Sequence, residues 1–341
     1  MKTVWWLAFL PFISWLLTGL LRQYAIRKNI LDIPNNRSSH TSPTPRGGGL
    51  AIVLTFLSYL LLINTTGLLK PEIVISLFGA GALIAVVGYI DDHRHIRVHW
   101  RLIVHFVASI WALIWMGGLP PLVIFGITLD FGWLGHCVSV VYLVWLLNLY
   151  NFMDGIDGIA GIEAATTCFG GIVLYTQLPT VGQEWMLPAL LFAAVIGFLV
   201  WNFPKAKIFM GDAGSGFIGI VLGIFSIQAA WVAPELFWGW AILLGGFIVD
   251  ATITLVRRLL RGERVYEAHR SHAYQYMARK LKTHITVSIA MGMINLLWLM
   301  PVAVLVVKGY IDGLLGVMIA YLPLAIAAIR FKAGAQELQE T

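Results

Sequence analysis

The stretch 72-EIVISLFGAGALIAVVGYIDDHRHIRVHWR-101 decides how the whole chain reads. From Ile73 to Ile90 it contains no charged residue. As a helix rising 1.5 Å per residue, such a run approaches the ~30 Å needed to cross a bilayer core. It closes on two adjacent carboxylates, Asp91 and Asp92, followed by Arg94, Arg97 and Arg101. A helix C-terminus carries partial negative charge, so acids placed there cost about 0.3–1 kcal/mol. Two compensations are open: arginines on a solvated surface, or a cation or proton held at a working site.

The same grammar repeats along the chain. Eleven apolar runs are expected to cross a membrane, at roughly 3–21, 48–67, 72–90, 102–119, 134–150, 159–177, 186–201, 213–231, 236–256, 285–307 and 310–329. Composition agrees: 59% of the residues are hydrophobic and 12% charged, against about 25% charged in soluble domains. The expectation is an all-α integral membrane protein, one polytopic domain over residues 1–331, with a disordered cytoplasmic tail at 332–341. The first run contains Trp5, Trp6 and Trp15 and is followed by Arg22 without a small-residue cleavage pattern, which favours a retained helix over a signal peptide. Cys137 and Cys168 have no metal-binding spacing and read as buried small hydrophobes. The segment 117-GGLPPLVIFGITLDFGW-133 carries turn signals and β-branched residues, suited to a short hairpin or a re-entrant stretch.

Charge assigns the sides. With eleven crossings, 20 of the 23 Lys and Arg fall in one set of alternating segments, leaving Lys2, Lys70 and Lys308 on the other. Basic loops stay cytoplasmic, so the N-terminus is expected outside and the C-terminus inside. The net charge of +6 follows from that asymmetry and does not imply nucleic acid as a partner.

Candidate chemistry lies where apolar runs meet the basic side. Asp91 and Asp92 suit a Mg²⁺ or proton-abstraction site. In 148-NLYNFMDGIDGIAG-161, Asn148 and Asn151 share a helix face, and Asp154 and Asp157 follow in a glycine-broken turn. Helix capping accounts for one or two of these four polar residues, not for all. In 209-FMGDAGSGF-217, Asp212 opens a run beside Gly214 and Ser215. Free backbone N–H groups at a helix start cradle anions such as a diphosphate, and Mg²⁺ takes one or two carboxylates plus substrate phosphates. The plainer reading makes Asp212 an N-cap. The loop 257-RRLLRGERVYEAHRSHAYQYMARK-280 is strongly basic and suits anionic lipid headgroups; within it, His269, Arg270 and His272 form a phosphate-binding set. Between the first two runs, Arg37, His40 and Arg46 place polar donors beside the membrane in an irregular loop.

These motifs together resemble the polyprenyl-phosphate N-acetylhexosamine-1-phosphate transferase family. The matching stretches are 37-RSSH-40 with 43-PTPRGGG-49, Asp91-Asp92, Asn148 to Gly158, 209-FMGDAGS-215 and 269-HRSH-272, in the family's order. The resemblance implies transfer of a sugar 1-phosphate from a UDP-sugar to undecaprenyl phosphate, with Mg²⁺, or Mn²⁺ in its place, at the cytoplasmic face of a bacterial inner membrane, and a homodimer as a common state. It implies Asp91 or Asp92 as the base, with Asp154 and Asp157 also catalytic. Asp212 and Asp157 become metal ligands, Asn148 and Asn151 hold diphosphate and nucleotide, and His269 and His272 sit near the sugar phosphate. Phe209 is placed to stack on uracil. The translocase branch carries consecutive histidines where Arg270 and Ser271 intervene here; His-Arg-Ser-His-Ala-Tyr-Gln looks like the O-antigen-initiating branch. That points to GlcNAc or a 6-deoxy-N-acetylhexosamine (FucNAc or QuiNAc type) as the sugar.

Two other classes fit less well. A lipid-linked sugar transporter would mark its pathway with polar residues near the midplane and an inverted repeat; here the acids cluster on one face and no inverted repeat is visible. A CDP-alcohol phosphotransferase needs an arginine that 157-DGIAG-161 lacks.

Overall fold

The computed structural model describes residues 5–34, 42–94, 96–180, 182–264 and 269–336. Within them the chain is mostly helix, an integral-membrane bundle. The elements are α1 (Trp5–Arg27), α2 (Leu50–Asn64), α3 (Pro71–His93), α4 (Val98–Met116), α5 (Gly132–Met153), α6 (Ile159–Tyr175), α7 (Met186–Asn202), α8 (Asp212–Val232), α9 (Pro234–Leu243), α10 (Gly245–Leu260), α11 (Ala273–Leu281), α12 (His284–Ile294), α13 (Met300–Val307) and α14 (Gly313–Arg330). A π-helical turn, Asn295–Leu299, joins α12 to α13.

Each of the eleven apolar runs is helical, but they differ in length. Among the described residues, seven continuous helices are long and apolar enough to cross a membrane. The run at 236–256 is α9 and α10, bent by 66°. The bend falls before Gly245 and Gly246, where Tyr321 and Met291 press against the backbone and a Cβ would sit 2.6 Å and 2.8 Å from them. The runs in α2, α6 and α7 are shorter apolar helices of 15, 17 and 17 residues.

Helix α8 is the axis. Ala213 to Ala230 are all buried, and α3 and α5 pack along it. Small residues let backbones meet, as membrane bundles require. A Cβ on Gly219 would lie 2.7 Å from the Leu146 carbonyl oxygen, and one on Gly88 2.5 Å from the Ala213 nitrogen. One contiguous apolar core runs from Leu10 to Ala320.

Residues 117–133 form a hairpin, β3 (Leu122–Ile124) with β4 (Ile127–Leu129), after the first two-stranded piece, β1 (Leu31–Asp32) with β2 (Thr44–Pro45). Phe125 and Gly126 both take positive φ, +49° and +75°, as a tight right-twisted hairpin turn demands. Two expectations need correction. The start of the expected disordered tail is packed: Ala333 is fully buried and Gly334 N–H donates to the Ser271 carbonyl at 2.6 Å. Cys137 is exposed on the outside of α5, while Cys168 is buried.

Candidate active site

The site begins with a close approach. Because Gly88 has no side chain, the end of α3 touches the first turn of α8. One turn later, Asp92 reaches the open backbone N–H groups there: it accepts from Asp212 N–H at 3.0 Å and Ala213 N–H at 3.3 Å. Gly211, at φ +79°, makes room, since a Cβ there would sit 2.6 Å from Asp92 Oδ2. Asp92 therefore ends one helix but caps another, where the dipole favours its charge.

Arg46 joins this acid to Asp212. Its Nε lies 2.8 Å from Asp92 Oδ1 and its Nη2 2.9 Å from Asp212 Oδ1. Strand-like pairing delivers it: Phe209 N–H donates to Pro45, and Gly48 and Gly49 N–H donate to Phe209 and Met210, all at 2.8 Å. Gly49 and Gly214 face each other so closely that a Cβ on Gly49 would lie 2.5 Å from the Gly214 Cα. Burial works against the guanidinium's charge, but Asp92 and Asp212 outweigh it and hold Arg46 above its ordinary pKa.

Further contacts close the ring. Asn151 Nδ2 donates to Asp212 Oδ1 at 2.9 Å and to Ser215 Oγ at 3.2 Å. Arg101 pairs with Asp91 at 2.5 Å and approaches Asp212 at 3.9 Å, while Ile96 N–H donates to Asp91 at 2.8 Å. Asn148 Nδ2 donates to the Val144 carbonyl at 2.7 Å and lies 3.3 Å from His105. A small cavity of about 20 Å³ sits among Asp91, Arg101, His105, Asn148, Asn151 and Asp212.

After α5 the chain turns sharply. A Cβ on Gly155 would collide with the Tyr274 hydroxyl, which donates to the Phe152 carbonyl at 3.1 Å. Gly158 takes φ +76° to start α6. Asp157 pairs with His284 at 3.2 Å. Asp154 differs from its neighbours. Among the described residues no donor bonds to its carboxylate, and burial, reinforced by the nearby Asp212, pushes its pKa up to about 7.

The histidine loop is held by Asp250, which accepts from Ala273 and Tyr274 N–H at 3.0 Å each and lies 3.4 Å from His272 Nδ1. His269 and His272 stack with ring centres 4.9 Å apart. Burial, then the neighbouring His272 and Arg258, pushes His269 down to about 3, so it is neutral at ordinary pH. His272 Nε2 is buried without a partner.

Two larger cavities flank these groups. One, about 570 Å³, has apolar walls including Val98, Leu102, Val141, Val144 and Trp145, and a polar end of Arg101, Asn148, Asn151, Asp154, His269 and His272. The other, about 490 Å³, is basic and holds Phe209, Lys205, Arg270, Arg279 and Lys282, with Asp157 on its wall. Two short segments contribute to both linings: Asp154 lines the first cavity and Asp157 the second, and His269 and His272 line the first and Arg270 the second.

The structure thus brings together Arg46, Asp91, Asp92, Asn148, Asn151, Asp154, Asp212 and Ser215, with Asp157, Phe209, Arg270, His269 and His272 on the adjoining walls. Arg37 and His40 lie outside the described residues. Three details differ from expectation. The first N–H groups of α8, expected to cradle a diphosphate, are taken by Asp92, and Gly214 serves contact with Gly49. Neither Asp157 nor Asp212 caps a helix with its side chain. Asp92, with its side chain 2% exposed and both oxygens engaged, is poorly placed to receive a proton from substrate. Sequence reasoning did not single out Asp250, Arg101, His105 or His284 as site residues. Asp250 was detectable as a lone acid in an apolar helix; His284 has no local signal.

A divalent ion is testable against these donors. Among the described residues no three His, Cys, Asp or Glu side chains gather as a cage. The donor-free Asp154 carboxylate beside Asp212 fits the mode in which Mg²⁺ takes one or two carboxylates and the rest of its shell from phosphate and water.

Comparison with known proteins gives a consistent picture. The glycosyl transferase family 4 description matches residues 74–230, from α3 to α8. The chain is 27% identical over 275 residues to the Bacillus subtilis protein named Probable undecaprenyl-phosphate N-acetylglucosaminyl 1-phosphate transferase, covering 76% of this chain and 72% of that one. It is 29% identical over 270 residues to the Undecaprenyl-phosphate alpha-N-acetylglucosaminyl 1-phosphate transferase of Thermotoga maritima, covering 79% and 80%. A Phospho-N-acetylmuramoyl-pentapeptide-transferase of Halalkalibacterium halodurans is 27% identical over 277 residues, covering 74% and 81%.

Proposed function

Since the chain belongs to the glycosyl transferase family 4 group of polyprenyl-phosphate N-acetylhexosamine-1-phosphate transferases, we propose that it transfers an N-acetylhexosamine 1-phosphate from a UDP-sugar to undecaprenyl phosphate and releases UMP. The observation that carries this reading is a pair of cavities lined from the same two short segments, Asp154 to Asp157 and His269 to His272. An apolar chamber with a polar end suits a lipid phosphate. A basic chamber with an aromatic wall suits a nucleoside diphosphate. Asp154, Asp157, His269, Arg270 and His272 on those segments are placed to act on a bond between the two.

A phosphate oxygen of the acceptor attacks the β-phosphorus of the donor, and the bond to UMP breaks. One diphosphate linkage is lost and one gained, so no other energy source is needed. A phosphate monoester has its second pKa near 6, so the acceptor arrives largely deprotonated. The main demand is to bring two anions together, which is electrostatic work. Arg101 faces the acceptor phosphate at the polar end of the apolar chamber. Arg270, Arg279 and Lys205 screen the donor diphosphate. Phe209 offers a face to uracil, and His269, whose Nδ1 accepts from Ser271 N–H, presents its Nε2–H to the sugar phosphate with His272 stacked beside it. Asp212 and Asp154 would hold Mg²⁺, which would supply charge neutralisation to the donor diphosphate; Asp157, expected as the second ligand, pairs with His284 instead. Asp91 and Asp92 fix Arg101, Arg46 and the start of α8 rather than acting as the base.

The interrupted histidine run supports GlcNAc or a 6-deoxy-N-acetylhexosamine over MurNAc-pentapeptide, and O-antigen or a related envelope polysaccharide as the product's use. The distribution of Lys and Arg supports a bacterial inner membrane with the site facing the cytoplasm. A transfer assay tests the proposal: purified protein in detergent, undecaprenyl phosphate, Mg²⁺ and one donor at a time from UDP-GlcNAc, UDP-FucNAc, UDP-QuiNAc and UDP-MurNAc-pentapeptide. UMP release that requires lipid and Mg²⁺ is expected with one of the first three. Release only with the last overturns the sugar assignment, and release with none overturns the function.

A further inference from the structure

Glu163 lies in the second turn of α6, fully buried in the bundle, where an acid is costly and calls for a reason. Its Oε2 accepts from Asn295 Nδ2 at 2.9 Å. Asn295, also fully buried, opens the π-helical turn and further donates to Thr166 and Thr167 Oγ1 at 2.9 Å and 3.3 Å. The Glu163 carboxylate also faces the first turn of α10 near Phe247, just after the 66° bend, where the opening N–H groups of a helix lack helical partners. A Cβ on Gly246 would lie 3.5 Å from Glu163 Oε1, so the glycine admits the carboxylate.

One polar node thus ties α6, α10 and the span containing α12. Each of these carries part of the site at its near end. Asp157 precedes α6. Asp250 lies one turn beyond Gly246 on α10 and holds α11 and His272. His284 opens α12 and pairs with Asp157. We infer that the Glu163–Asn295 pair is a positioning device that sets the α9–α10 bend and with it the relative placement of Asp157, the histidine loop and His284. This inference rests on the proposed transferase reading for its kinetic arm only.

The charge itself is not what the node needs. Glu163 Oε1 and Asn295 Oδ1 are buried acceptors without donors. Glutamine at 163 keeps an acceptor facing the start of α10 and brings an amide donor for Asn295. Leucine keeps the volume, leaves Asn295 Nδ2 only Thr166 and Thr167 as acceptors, and removes the polar group beside the start of α10.

The test compares Glu163→Gln, Glu163→Leu and Asn295→Ala in detergent by hydrogen exchange and by the transfer assay. Glu163→Gln is expected to match wild type in both. Glu163→Leu should raise amide exchange by tenfold or more at the start of α10 and over residues 269–281. Its kcat should fall roughly 10- to 100-fold, as misplacement near 1 Å does, with the donor KM changed less than threefold. Asn295→Ala leaves the carboxylate beside the start of α10 and should show an intermediate loss; it serves where the leucine variant does not fold. Unchanged exchange over 269–281 in the folded leucine or alanine variant overturns the inference, as does a glutamine variant as impaired as leucine. An inactive wild type with the expected exchange pattern counts against the transferase reading alone.

Discussion

At the scale of single residues, the site is a set of carboxylates distinguished by what reaches them. Asp212 is bound by Arg46 and Asn151 yet keeps a fifth of its side chain exposed. Asp212→Asn preserves the shape and removes charge, so turnover should fall at least 10³-fold with the thermal unfolding midpoint kept. Appreciable activity in the folded variant would remove Asp212 from the metal role. Arg46→Ala leaves Asp92 and Asp212 facing each other without their cation. Breaking a fully buried pair costs 3–5 kcal/mol; with Arg46 partly exposed, a loss of about 2 kcal/mol is expected in denaturant or thermal unfolding. His269 sets a pH dependence. Its folded pKa, about 3, lies below the ~6.5 of the unfolded chain. The unfolded state therefore binds more protons below pH 6.5, and stability falls on acidification through that point. Its contribution is complete above pH 7. Glutamine at 269 should make the midpoint fall less between pH 7 and pH 5 than in wild type.

At the scale of elements, the site depends on backbones that touch. Gly88 against Ala213 and Gly49 against Gly214 set the distances that Asp92 and Arg46 then span. A Cβ at Gly88 would meet the backbone of α8, not a flexible side chain, so α3 has to move. Overpacking of this kind costs about 1–3 kcal/mol. Gly88→Ala should lower activity by 10²-fold or more because the Asp92 cap and the Arg46 bridge both lengthen. An alanine at Gly126, where nothing lies within 4 Å of a Cβ, perturbs a turn far from the site and should leave activity within a factor of two. Equal activity of the two variants would argue against the packing account.

For the whole molecule, the prediction concerns sidedness. The proposed orientation puts the loop at residues 257–284 in the cytoplasm and the turn containing Lys308 outside. On a background with Cys137 and Cys168 replaced, Lys308→Cys should react with a membrane-impermeant thiol reagent in intact spheroplasts. Lys282→Cys should react only after permeabilisation. The reverse pattern would reject both the orientation and a cytoplasmic donor site.

What the sequence by itself determined is what depends on counting along one chain. Apolar runs of crossing length, the one-sided Lys and Arg, and carboxylates placed where such runs end are all visible without coordinates, because hydropathy and charge act locally on each segment. Thus Asp91, Asp92, Asp154, Asp157 and Asp212 were readable as a group. Their division of labour was not. Asp92 reads from its own helix as an unfavourably placed acid, and only the approach of α8, 120 residues later, makes it a cap. Glu163 reads as one acid in an apolar helix, and only the bend before α10 and the π turn at Asn295 give it partners. His284 gains meaning from Asp157, which is 127 residues away. In each case the deciding energy is a short-range hydrogen bond or ion pair between helices distant in sequence, and such contacts exist only once the backbones have packed.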